Sequence, residues 1–195
     1  LCALGNAQLR RGEARAALAS FRSAHAGAPE EAIPLLNAAL AARDRGDGKG
    51  AAAWLDQALL RCRDRGRYAE VDPASLLLIE HLPHPEALDL MDRVLEEDPS
   101  AVMTWNNRAI LLRRSGRLQE ALESADRALA INPTYAKAWS NRANALIELG
   151  RHAEALASAG RALELDPRLP GAYAARGTAF AQLGRSLLAV QEVPL

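Results

Sequence analysis

Apolar and small residues recur along this chain in two rhythms, one of three to four residues and one of thirty-four. The short rhythm is that of an α-helix. In 104–114, Trp105, Ala109 and Leu112 fall on one helical face, and in 118–131 Leu118, Ala121, Leu122, Ala125, Ala128 and Leu129 do the same. The long rhythm repeats whole helical pairs: Trp105, Trp139 and Tyr173 stand thirty-four residues apart, as do Gly116, Gly150 and Gly184, Ala121, Ala155 and Ala189, and Pro99, Pro133 and Pro167. Self-similarity at such a period marks stacked helical hairpins, none of which can bury its apolar face alone. Gly116 falls just past the first helix, where a left-handed residue closes it. Asn132, standing before Pro133, is pushed out of the helical region and ends the second helix.

Projected towards the start, the period recovers weaker copies. Leu1, Leu4, Gly5, Gly12, Ala17, Phe21, Ala24 and Pro29 hold the same relative places, so the chain is expected to open partway along a first helix, as a fragment of something longer. Leu35, Ala38, Ala39, Gly46, Ala51, Leu55 and Ala58 mark a second copy, with Arg63 in place of the proline. Between Leu35 and Val71 the spacing widens to thirty-six, which predicts a two-residue insertion in the connection 61–67. The third copy is degenerate: Val71, Ala74, Ser75, Ala87, Met91, Val94 and Pro99 keep register, but Pro83 takes the place of the turn glycine and Pro85 follows it. The sixth is expected to end early, with a short second helix over 186–193 stopped by Pro194.

The order tryptophan, arginine–alanine, glycine, alanines four and three apart, then Asn-Pro or Asp-Pro resembles the tetratricopeptide repeat. The resemblance covers essentially the whole chain. It implies an all-α fold, a right-handed superhelical solenoid of stacked helix-turn-helix repeats in a single array over 1–195. The repeats fall at about 1–31 (partial), 32–65, 66–101 (degenerate), 102–135, 136–169 and 170–195 (partial). The chain departs from the family in having Arg108, Arg142 and Arg176 where leucine is common, and Ala125 and Ala159 where an aromatic is common.

Composition narrows the functional classes. No apolar run approaches the ~20 residues that cross a bilayer, so no membrane span is expected. Residues 1–99 carry 12 Lys/Arg against 16 Asp/Glu and residues 100–195 carry 12 against 8, an asymmetry too mild to argue for nucleic acid. Cys2 and Cys62 lack both the density of a disulfide scaffold and the close spacing of a zinc site, and read as reduced thiols. His81 and His84 are separated by Pro83 and followed by Pro85, which denies them a shared helical face, and no third ligand is evident. No phosphate-binding glycine loop, nucleophile elbow or zinc-binding helix motif is present. The expectation is therefore no enzyme activity, no metal and no cofactor. No basic-then-apolar leader is visible, which leaves the compartment open with the cytoplasm as the simpler expectation.

Trp105, Trp139 and Tyr173 read as core residues between paired helices. In a stacked array the first helices of successive repeats line the concave wall, so binding is expected there. The residues assigned to its exposed side as a peptide-binding set are Asn37, Met103, Asn106, Asn107, Ile110, Arg113, Lys137, Ser140, Asn141 and Asn144. Asn107 and Asn141 are equivalent, and Asn37 holds the same place two repeats earlier. An asparagine amide donates and accepts, so it can hold a peptide group without reading a side chain. Such a ladder resembles the inner surface of tetratricopeptide arrays that bind extended segments, including the one attached to O-linked GlcNAc transferase. The family's carboxylate clamp for chaperone tails is not expected, since Asn6 and Asn37 fit its amide places but Cys2, Ala69 and Pro73 stand where cations belong.

Arg108, Arg142 and Arg176 have two readings: stems packed along a neighbouring helix with the guanidinium solvated or paired, or a basic stripe for an acidic partner. The function that follows is a scaffold binding a protein or an extended peptide. The alternatives are a substrate-docking array of a larger enzyme of glycosyltransferase or sulfotransferase type, and self-association through uncapped ends.

Overall fold

The computed structural model describes residues 2–29, 31–65, 70–72 and 75–191. Ala69, Pro73 and Ala74, which the sequence places in the third repeat, and residues 192–195 lie outside the described residues. Among those described, the regular elements are eleven α-helices and one 3₁₀ turn at 70–72. The fold is all-α. The chain divides into two compact units, Leu1–Thr104 and Trp105–Leu195.

The first unit holds α1 (Cys2–Arg10), α2 (Ala14–Gly27), α3 (Ile33–Asp44), α4 (Gly48–Arg65), α5 (Ser75–His81) and α6 (His84–Glu97), followed by the start of α7 (Val102–Arg114). Each helix packs on the next from α1 to α6. Ala17, Leu18, Phe21, Ala38 and Ala41 form a buried cluster flanked by Cys2, Leu9 and Trp54. Gly5 faces the Phe21 ring so closely that a Cβ there would lie 2.5 Å from a ring carbon. The absent side chain lets α1 and α2 approach at that point. Neither Cys2 nor Cys62 forms a disulfide among the described residues.

Gly12 and Gly46 close α1 and α3 with φ of 76° and 75°, and Gly116 and Gly150 repeat that geometry at 75° in the second unit, as the period predicts. In the third repeat the break is made by Pro83, whose φ of −55° and ψ of 143° turn the chain into α6 without a left-handed residue. His81 therefore ends one helix and His84 begins another. The connection expected to hold the insertion is described only in part, residues 66 and 67 lying outside the described residues. Residues 61–65 are helical, and α4 has 18 residues where α2 and α6 have 14. With Arg63 in the proline's place, nothing removes a backbone donor there and the helix runs on.

Asp47 caps α4, its Oδ1 accepting the Gly50 N–H at 2.8 Å. Asp47→Ala is expected to lower stability by about 1 kcal/mol. The check is a urea titration in which the midpoint falls while the slope is unchanged.

The second unit begins within α7 and continues through α8 (Leu118–Ile131), α9 (Ala136–Glu148), α10 (His152–Leu165) and α11 (Pro170–Gln191). α9 packs on α8, α10 and α11. At each hairpin the turn is tied back, Arg117 N–H donating to Leu112 O and Arg151 N–H to Leu146 O, both at 2.9 Å. The following helix is braced by Arg117 on Glu120, at 2.7 and 2.5 Å, and by Arg151 on Glu154, at 2.7 and 2.6 Å. The hydrogen bond from Arg117 holds the Glu120 carboxyl below its ordinary range, and that from Arg151 does the same for Glu154. α8 and α10 end at Asn132 and Asp166, both with extended backbone. Their side chains close the turn beyond: Asn132 Oδ1 accepts the Thr134 N–H at 3.0 Å, and Asp166 Oδ1 the Arg168 N–H at 2.9 Å.

Two expectations need correction. The turn at Gly184 does not form, and α11 runs unbroken through Gln191. A glycine permits a turn but does not impose one, and Leu188 stands where Glu120 and Glu154 hold the arginine brace. The aromatic residues are also not fully enclosed. Trp139 lays one face on Ala162, Leu163 and Ala172 while its Nε1–H donates to Pro133 O at 2.9 Å. Tyr173 makes the matching bond to Pro167 O at 3.1 Å and stays 49% exposed. The sealed positions are instead small or aliphatic: Ala143, Ala159 and Ala175 meet in one cluster, and Leu146 is fully buried.

Of the two arginine readings, Arg108 and Arg142 follow the packed one. Arg108 donates to Ser124 Oγ at 2.8 Å, and Arg142 to Ser158 Oγ and Asp126 Oδ1, both at 2.7 Å. Each guanidinium lies over the tryptophan one turn before it, 5.8 and 5.9 Å from the ring centre.

Candidate functional site

Three-residue and four-residue spacing places Asn106, Asn107, Ile110 and Arg113 along α7, and Lys137, Ser140, Asn141 and Asn144 along α9. The two helices lie side by side and are joined at both ends of this face. Asn141 Nδ2–H donates to Asn106 Oδ1 at 2.8 Å, and Arg113 Nη1–H to Glu148 Oε1 at 2.5 Å. Asn106 in turn donates to Asn107 Oδ1 at 3.2 Å. Three amides are thus linked across two helices.

That linkage alters the assigned set. Asn106, Asn107 and Ser140, expected on an exposed side, are buried, at 3%, 5% and 5% exposure. Asn141 of α9 reaches across to the first of them. α11 approaches Ser140, since a Cβ at Gly171 would lie 3.3 Å from its hydroxyl. Ile110, Arg113, Asn141 and Asn144 are half-buried, and Lys137 is exposed. Lys137 and Asn144 have no hydrogen-bond or ion-pair partner among the described residues. The two remaining members belong to the first unit: Asn37 is half-buried on α3, and Met103, at the start of α7, is 39% exposed.

The face therefore offers a fixed amide at Asn141, a second at Asn144 with its donor and acceptor free, and an ammonium at Lys137. These are groups that hold a polar backbone by hydrogen bonds. No cluster of three or more potential metal ligands occurs among the described residues. No helix among them is long and apolar enough to cross a membrane.

Sequence reasoning missed a further feature, a cleft of about 430 Å³ in the first unit, between α4 and α6, lined by leucines and rimmed by carboxylates. Its sequence signal is the placing of Leu59, Leu60 and Leu90 off the core stripes of their helices.

Comparison with known proteins bears on most of the chain. The pattern of the family described as "Tetratricopeptide repeat" matches residues 136–169 in one form and 2–70 and 80–136 in another. No curated protein matches. Among solved structures, TTC0263, a thermophilic TPR protein in Thermus thermophilus, is similar with a TM-score of 0.70 and 22% identity over 92% of this chain and 97% of that one. YrrB, described as a TPR protein with an unusual peptide-binding site, gives a TM-score of 0.61 and 20% identity over 90% of each chain. A chain of the APC/C hetero-tetramer Cut9-Hcn1 gives 0.78 and 14%, over 91% of this chain and 35% of that one. At these identities the likeness is one of fold. The family pattern, however, matches well over half of the sequence, in the register that the turn glycines and Asn-Pro stops mark out, and the chain belongs to the tetratricopeptide repeat family.

Proposed function

We propose that the chain is a non-catalytic protein-binding scaffold, and that its second unit holds an extended peptide against the face shared by α7 and α9. The observation that carries this reading is the pair Asn141 and Asn144. Asn141 is anchored across the helix pair by its bond to Asn106. Asn144, one turn further along, has an amide engaged by nothing among the described residues. An anchored amide beside a free one suits the alternating N–H and C=O of a peptide backbone, and preorganisation lowers the ordering cost of binding. Lys137, one turn before, adds a cation for an acidic side chain or a terminal carboxylate. Membership of a family of protein-interaction scaffolds supports the class of function, and the peptide-binding site named for the structurally similar YrrB agrees with it.

The test is selection of random linear peptides on the immobilised protein, followed by calorimetry and NMR mapping. Selected peptides are expected to shift the Asn141 and Asn144 side-chain amide signals. Asn144→Ala combined with Lys137→Ala is expected to weaken them by about 2 kcal/mol, roughly 30-fold, while the thermal midpoint stays unchanged. Peptides that bind the double variant with undiminished affinity would place the site elsewhere.

A further inference from the structure

Tyr173, Arg176 and Phe180 on α11 stand in register with Trp139, Arg142 and Leu146 on α9. On α9 this face is covered: Leu146 is fully buried, and Arg142 is engaged by Ser158 of α10 and Asp126 of α8. On α11 it is bare. Phe180 is 69% exposed and Tyr173 49%. Arg176 lies over the Tyr173 ring at 5.3 Å and has no carboxylate partner among the described residues. Among the described residues no helix covers this stripe, and its aromatic and cationic composition suits an apolar, acidic counterpart.

The first unit carries such a counterpart. The cleft between α4 and α6 has Leu59, Leu60, Leu82 and Leu90 in its lining, with Leu60 41% exposed. Asp56, Glu86 and Asp89 stand among them. Arg93 also lines the cleft and engages Asp89 at 3.0 Å, whereas Asp56 and Glu86 have no ion-pair partner among the described residues. Its volume of about 430 Å³ falls in the ~300–1,000 Å³ range of clefts that seat a small ligand, room enough for an aromatic ring.

We propose that the cleft of one copy receives the α11 stripe of a second copy, with Phe180 against the leucines and Arg176 beside Asp56 and Glu86. The charge distribution points the same way. Residues 1–99 carry 12 cationic and 16 acidic side chains, net −4, and residues 100–195 carry 12 and 8, net +4. Opposite halves of two copies therefore attract, and like halves repel. Because the two surfaces differ, each contact leaves one cleft and one stripe unoccupied, and association continues head to tail until it closes or is limited by concentration.

Sedimentation velocity on the 195-residue chain tests this directly. The weight-average mass is expected to rise above the monomer with concentration and to fall back as salt is raised, since part of the attraction is between exposed charges. Phe180→Asp is expected to weaken association by about 30-fold or more. Arg176→Glu and Asp56→Arg alone are each expected to weaken it by roughly tenfold, and together to restore it, because the pair then exists with its signs exchanged. All three residues are exposed, so unchanged far-ultraviolet circular dichroism will separate loss of association from loss of fold. A monomer at every concentration overturns the proposal. So does association that survives Phe180→Asp, or that is lost with Phe180→Asp but unmoved by Asp56→Arg, which would mean that two α11 stripes pair with each other. Failure of the exchanged pair to recover also counts against it. None of these outcomes touches the peptide-binding reading, which rests on other residues.

Discussion

Phe21→Ala is expected to reduce the unfolding free energy by about 3–5 kcal/mol, among the largest effects available to a single substitution here. The ring is fully buried and its companions in the cluster are mostly small: Ala17, Ala38 and Ala41, with Leu18. Alanines on neighbouring helices cannot extend into the void, so the cavity stays open and adds its own cost to the lost transfer energy. The sharper version of the experiment pairs it with Gly5→Ala. In the unaltered protein that methyl meets the Phe21 ring and is expected to cost about 1–3 kcal/mol. With the ring gone the methyl has room, and alanine favours the helical backbone of α1 over glycine by up to ~1 kcal/mol. The second substitution should then stabilise. Urea titration of the four proteins gives the coupling, and additivity within about 0.5 kcal/mol would show that ring and glycine do not touch.

What the sequence made legible follows from how local each requirement is. Gly116 and Gly150 could be read because a positive φ is a property of one residue's own backbone, and Asn132 could be read because the proline after it acts on its nearest neighbour. Gly184 could not, because a turn there depends on whether the next segment is braced, and Leu188 withholds the carboxylate that Glu120 supplies to Arg117. The burial of Asn106 was equally out of reach. Helical spacing says which way a side chain leaves its own helix, but not that Asn141, thirty-five residues later, will reach across to it. The same limit applies to the tryptophans. The period marks their place, whereas the carbonyl of Pro133, which keeps the Trp139 indole near the surface, belongs to a loop whose path is set by packing. Three of the ten assigned residues, Asn106, Asn107 and Ser140, are therefore buried, and Asn106 is the one that anchors Asn141.

Leu146→Ala is expected to cost about 2–5 kcal/mol, while Phe180→Ala, at the same place one repeat later, is expected to change stability by no more than about 0.5 kcal/mol. Sequence alone ranks the two the other way, since the period makes them equivalent and phenylalanine is the larger. The difference lies in what covers them. Leu146 is fully buried where α9 packs on its neighbours, and nothing can refill its place without moving helices. Phe180 is 69% exposed on α11, so its removal takes away little that was hidden from water. The comparison should be made by thermal or urea unfolding at concentrations low enough to hold the chain monomeric, since any copy seated on the α11 stripe would add its binding energy to the phenylalanine. If both substitutions cost several kcal/mol under those conditions, α11 must be covered by its own chain. The straight helix would then not be the form in solution, and the stripe would not be available to a second copy. If only Leu146→Ala is costly, the two positions differ in what covers them despite their shared register, and the α11 surface is open to a partner.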